Sequence, residues 1–105
     1  MAGTSKQYNV IVSERAADML IRQIRFLAQV SPASAHKPRL EIINASKSLQ
    51  SFPERHLEFS DPLLSAIKYR KMIINRRYLL VYQVKNETVH IDYILDCRQD
   101  YQWLL

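Results

Sequence analysis

Apolar and polar positions change their period three times along the chain. Tyr8 to Val12 (YNVIV) alternates and is rich in β-branched residues, which predicts a first strand. Ser13 follows as a helix cap, with Glu14 in the favourable first turn. Ala17, Leu20, Ile21, Ile24, Leu27 and Ala28 then recur at i, i+3, i+4 intervals, predicting an amphipathic helix to about Val30. Arg15, Arg22 and Arg25 belong to its polar face. Ser31-Pro32 restarts the chain as a cap followed by proline at the first helical position. A second helix is expected to about Phe52, with Ile42, Ala45, Leu49 and Phe52 on one face. Pro38 removes a backbone donor inside it and predicts a kink or a delayed start; Pro53 ends it. From Pro53 to Leu64 no period is visible, so the segment reads as an ordered loop. Three strands are predicted at Ala66 to Ile74, Tyr78 to Lys85 and Thr88 to Leu95. The polar breaks Asn75-Arg76 and Asn86-Glu87 suit hairpin turns.

This order predicts an α+β fold: a two-helix hairpin packed on one face of a four-stranded, mainly antiparallel sheet (β-α-α-β-β-β). At 105 residues, a single domain over 1–105 is expected. A hydrophobic content of 48% argues against disorder, and a single glycine argues against a glycine-rich phosphate loop. No apolar run approaches the roughly 18 residues of a membrane span. MAGTSKQYNV has no signal-peptide core, and Cys97, the sole cysteine, has no internal disulfide partner, so a reducing cytoplasm is expected. One cysteine and the scattered His36, His56 and His90 lack metal-ligand spacing, so neither metal nor cofactor is expected.

Charge sharpens the picture. The net charge is +5, and Lys68, Arg70, Lys71, Arg76 and Arg77 fall within ten residues that contain no acid. Strand alternation puts Lys68 and Arg70 on one sheet face, with Tyr69 and Lys71 on the other. A face left open by the helices could display arginines beside Tyr69, Tyr82 or Tyr93, an arrangement suited to RNA phosphates and bases. The competing reading is a solvated strand face with snorkelling basic side chains. In the tail ILDCRQDYQWLL, the expectation for Trp103, Leu104 and Leu105 is a packing seal. Cys97 reads as a small half-buried residue, although a neighbouring arginine could lower its pKa. His90 and Asp92 read as a pair on one face of the last strand, and His56 as an exposed loop residue.

Four stretches in order, YNVIVSERAADML, SLQSFPERH, RRYLLVYQV and VHIDYILDCRQDY, resemble the RelE/ParE superfamily of bacterial type II toxins over nearly the whole chain. The resemblance implies a compact toxin neutralised by an acidic antitoxin that wraps it, in a toxin–antitoxin hetero-oligomer. RelE-like members cleave mRNA on the ribosome without metal; ParE-like members poison DNA gyrase. For the first activity the resemblance implies Arg98, Tyr101 and Arg77 in the catalytic set, which His90 joins as a proton-transfer candidate from its place beside Asp92 on the last strand. Arg70 and Lys71, which match basic residues of the family, would contact RNA phosphate together with Lys68 and Arg76 of the same basic run. Two positions depart from the RelE-like pattern. Leu79 stands where an arginine often follows the first tyrosine of the central strand, with Arg77 two residues earlier, and Asp96 stands where many members carry histidine.

The main expectation is therefore a ribosome-dependent mRNA endoribonuclease acting through a basic sheet face. The alternatives are a gyrase-binding toxin, which needs no catalytic constellation, and a degenerate member that only binds its antitoxin.

Overall fold

The computed structural model describes residues 7–56, 58–59 and 69–97. Strand β1 (Asn9–Val12) leads into α1 (Glu14–Val30) and α2 (Pro32–Ser48). A short 3-10 turn (Pro53–Arg55), β2 (Glu58–Phe59), β3 (Tyr69–Ile74), β4 (Tyr78–Lys85) and β5 (Thr88–Asp96) complete the order. The sheet runs β1-β5-β4-β3-β2, with β1 parallel to β5 and the remaining pairs antiparallel. The four strands expected from the sequence are therefore neighbours, and the two-residue β2 adds to the β3 edge from within the segment read as a loop. The expected strand start at Ala66 lies outside the described residues.

Local chemistry accounts for the boundaries. Ser13 Oγ accepts from the Ala16 amide at 3.0 Å, satisfying one orphan donor of α1. Only Ser31 separates the two helices, and Pro32 opens α2 without a delay. Pro38 is accommodated inside α2, so the expected late start does not occur. Helix α2 ends four residues earlier than predicted. Phe52 lies beyond it with a left-handed backbone (φ 47°) and 66% exposure, rather than on the core face. The Arg55 guanidinium closes this end by donating to the carbonyls of Ser48, Ser51 and Phe52. Asn75 and Arg76 both take positive φ (52° and 57°), and Arg77 N donates to Ile74 O at 3.0 Å, giving the tight turn the polar break predicts.

The helix-side core packs Ala16, Ile42, Ala45 and Leu49 on Ile74, Tyr78, Leu80, Tyr82, Val89, Ile91 and Ile94. Burial of each such aliphatic side chain contributes roughly 1.5–3 kcal/mol. Ile21 is 47% exposed instead of packed, because Ala16 and Leu20 set the buried line of α1. Past the end of β1, α1 follows the outer edge of β5: Ser13 N donates to Ile91 O, and Gln23 Nε2 to Ile94 O at 2.8 Å. Met19 thereby reaches a second cluster on the opposite sheet face, formed by Tyr69, Leu79, Val81, Tyr93 and Leu95. Both faces of the central strands are buried.

Candidate functional site

The residues expected to act together are dispersed over both faces and one turn. Arg70 pairs in register with Tyr82 on the helix side, while Lys71 pairs with Val81 on the other. Arg70 Nη1 donates to the carbonyls of Glu54 and His56, at 3.1 and 2.8 Å, so this guanidinium ties the segment after α2 to β3. Arg76 is exposed at the tip of the β3–β4 turn. Arg77 donates from Nε and Nη2 to Asp96 Oδ2 at 3.3 and 3.2 Å, and its guanidinium lies 5.1 Å from the Tyr78 ring centre. Asp96 is 3% exposed, and Cys97 N closes the same corner by donating to Arg77 O at 2.6 Å. The expected Lys68, Arg98 and Tyr101 lie outside the described residues, as do Trp103, Leu104 and Leu105.

The aromatic platform expected beside the arginines does not form. Tyr82 is fully buried on the helix side, its hydroxyl donating to Pro53 O at 2.5 Å. Tyr69 and Tyr93 are buried in the second cluster, edge-on with ring centres 6.1 Å apart. Leu79, the position where an arginine would extend a phosphate-binding surface, is fully buried between them and Leu95. That face is core.

A bulge in β5 supplies what alternation misses. Tyr82 pairs with Ile91 and Val81 with Tyr93, so Asp92 is the extra residue. Its carboxylate Oδ2 accepts from Tyr69 OH at 3.0 Å and from Gln83 Nε2 at 2.7 Å. Burial first, then the hydrogen bond to Asp92, pushes the Tyr69 phenol up to about 12, so it keeps its proton at neutral pH. His90 pairs in register with Gln83. Asp92 is thus held by tyrosine and glutamine rather than by the expected histidine. Arg15 caps this face from α1, 4.9 Å from the Tyr93 ring centre. The run Tyr93-Ile94-Leu95 signals burial on both faces of the strand, but it does not locate the bulge.

Cys97 is half-buried as expected, and burial, then Asp96, pushes its thiol up, away from nucleophilic character. One further expectation is corrected. His56 is half-buried rather than exposed, set edge-on to Tyr82, and burial followed by Arg55 lowers its pKa. No group of three or more His, Cys, Asp or Glu among the described residues could hold a metal ion.

A different feature has the shape of a binding site. Among the described residues β1 pairs only with β5, so alternate backbone groups at Val10 and Val12 point outward from the sheet edge. Beside that edge lies an apolar groove of about 270 Å³, lined by Val10, Val12, Leu20, Ile42 and Ile94, with Ser46 and Lys47 on its rim.

The model of the ParE toxin of the type II toxin–antitoxin system parDE matches residues 10–101. The chain belongs to the ParE toxin family. Its ParE membership makes it the toxin of a toxin–antitoxin pair and corrects the main expectation from the sequence. The match falls on the ParE branch, so the ribosome-dependent endoribonuclease reading is withdrawn. The catalytic roles expected of Arg98, Tyr101, Arg77 and His90 belonged to that reaction and go no further, and ribosome and mRNA go with them as partners. A solved structure of the chromosomal ParDE TA system from P. aeruginosa shares the ParE-like fold, with a TM-score of 0.70 and 18% identity over 88% of this chain and 98% of that one. A search of curated proteins gave no match.

Proposed function

We propose that this chain acts by binding DNA gyrase and stalling it, and that an acidic antitoxin relieves the block. Membership of the ParE family over residues 10–101 carries the reading. The fate of the arginines supports it. Arg55 and Arg70 hold backbone carbonyls, Arg77 holds Asp96, and Arg15 lies against Tyr93. Leu79 lies in core. A toxin that works by binding needs a shaped surface rather than a proton-transfer set.

The antitoxin has a natural seat at β1. An extended segment pairing with the outward amides of Val10 and Val12 would gain main-chain hydrogen bonds, and its apolar side chains would fill the adjoining groove. The net charge of +5 favours an acidic partner and a fast encounter. We infer that the adjoining gene encodes it and that the pair works in the cytoplasm; no helix among the described residues is long and apolar enough to cross a membrane.

The decisive experiment adds the purified chain to gyrase, ATP and relaxed plasmid, and in parallel to a translating extract with labelled mRNA. Loss of supercoiling with intact mRNA is expected. Inhibition should disappear when the adjoining gene's product is added first. Full supercoiling activity in the presence of excess toxin would end the gyrase reading.

A further inference from the structure

From Met19 to Leu40 the chain carries Arg22, Arg25, Lys37 and Arg39 and no acidic residue. This stretch spans the far part of α1, the one-residue junction at Ser31 and the first half of α2. Gln23 is the last residue of α1 to hydrogen-bond the sheet among the described residues. Between Ala28 and Lys37 only Ala35 is buried. All four cations are exposed, and none makes an ion pair or hydrogen bond among the described residues. Large apolar side chains stand among them: Phe26 is 47% exposed, Val30 75% and Leu40 41%.

The contrast with the other arginines is informative. Arg15, Arg55, Arg70 and Arg77 are engaged with carbonyls, a carboxylate or a ring, whereas Arg22, Arg25 and Arg39 have no hydrogen-bond, ion-pair or ring partner among the described residues. Packing does not require Phe26 or Val30 to be apolar at such exposure, and no acid within the stretch offsets its charge. An exposed aromatic flanked by arginines has the composition of the energetic centre of a protein interface. Phosphate contacts would use the cations but give no role to the exposed aliphatic side chains of Val30 and Leu40.

We propose that this end of the helical hairpin, with Arg22, Arg25 and Phe26 at its centre, is the surface that engages gyrase. It would meet an acidic face of that enzyme carrying an apolar recess. The assignment rests on the gyrase reading above and adds to it which part of the toxin makes the contact. Shape separates it from the antitoxin seat. An exposed helix surface that carries both cations and large apolar side chains suits a folded partner with a recess, whereas the groove beside β1 suits a single extended chain. The two surfaces involve different parts of α1 and α2, since the groove uses Leu20, Ile42 and Ser46. Neutralisation would then work by blocking access or approach rather than by covering the same residues.

The test uses the full-length chain against gyrase holoenzyme in a supercoiling assay, with melting curves for every variant. Arg22→Glu/Arg25→Glu and, separately, Phe26→Ala are compared with Lys85→Glu, an exposed charge reversal at the end of β4. Arg22→Gln/Arg25→Gln serves as the milder pair should the double reversal fail to fold. The first two variants should need at least about tenfold more toxin for half-inhibition, a loss of about 1.4 kcal/mol in binding. Lys85→Glu should match the unaltered chain. All should melt like it and still bind the adjoining gene's product. The proposal is overturned if the unaltered chain inhibits gyrase and the folded variants inhibit it equally. It is also overturned if they lose antitoxin binding in the same proportion, or if the loss is reproduced on bare linear DNA, which would make the surface a phosphate contact. Failure of the unaltered chain to inhibit gyrase at any concentration overturns the functional reading, and this assignment with it.

Discussion

Arg77 holds the buried carboxylate of Asp96 across the β4–β5 pair, Nη2 to Oδ2 at 3.2 Å, with side-chain exposures of 26% and 4%. The unequal exposure sets unequal consequences. Arg77→Ala takes two charge-assisted hydrogen bonds away from a carboxylate that stays buried, whereas Asp96→Ala leaves a guanidinium that can turn to water. Denaturant titration should show a loss of about 2–3 kcal/mol for the first and about 1–2 kcal/mol for the second. The apolar replacement Arg77→Met/Asp96→Leu should recover most of the difference. Equal losses for the two single variants would contradict this account of the corner.

The Asp92 bulge makes a second stability prediction. Asp92→Ala removes the acceptor of both Tyr69 and Gln83 and should cost roughly 2–3 kcal/mol, while Tyr69→Phe should cost about 1 kcal/mol. Because the two act through one carboxylate, the double variant should lose little more than Asp92→Ala alone. Full additivity would mean that the tyrosine is held by something else.

Two phenols and one imidazole predict the pH limits. Tyr69 and Tyr82 are pushed up to about 12, chiefly by burial. The unfolded chain therefore releases these protons first, near pH 10, so their contribution is complete below that and is lost as pH rises from about 10 to 12. His56 is shifted the other way, down from 6.5, by burial and Arg55. The unfolded chain takes up that proton first, so stability falls as pH drops below about 6.5. Thermal melts across pH should show both shoulders. Tyr82→Phe should soften the alkaline one, and His56→Gln the acidic one.

Leu79→Arg would restore the arginine of the RelE-like pattern. In this fold it would bury a guanidinium among Tyr69, Val81, Tyr93 and Leu95, so a loss of more than about 3 kcal/mol, or failure to fold, is expected rather than a gain of nuclease activity. A stable variant that cleaves translated mRNA would show the second face to be more open than its burial indicates.

The elements whose cause is local were legible in the chain. Ser13 as a cap, Ser31-Pro32 as a restart and Asn75-Arg76 as a turn depend on backbone hydrogen bonds and φ preferences within a few residues. The alternating and 3.6-residue periods followed from one-sided burial, so the hairpin and the four neighbouring strands could be read from them. The site could not be read in the same way. Alternation fails once a strand is buried on both faces, because apolar residues on successive positions then satisfy either register. Only the pairing of β5 with β4 decided that Asp92 bulges out to meet Tyr69 and Gln83, that Tyr82 belongs to the helix side, and that Leu79 is core. The composition of a basic stretch likewise says how much charge is present but not where it is spent. Arg70 and Arg77 lie in the densest basic run, yet folding brings to them the carbonyls of Glu54 and His56 and the carboxylate of Asp96, 14 to 19 residues away in sequence. Arg22 and Arg25 come from a sparser stretch and stay exposed, because folding brings no carboxylate or carbonyl to either of them among the described residues.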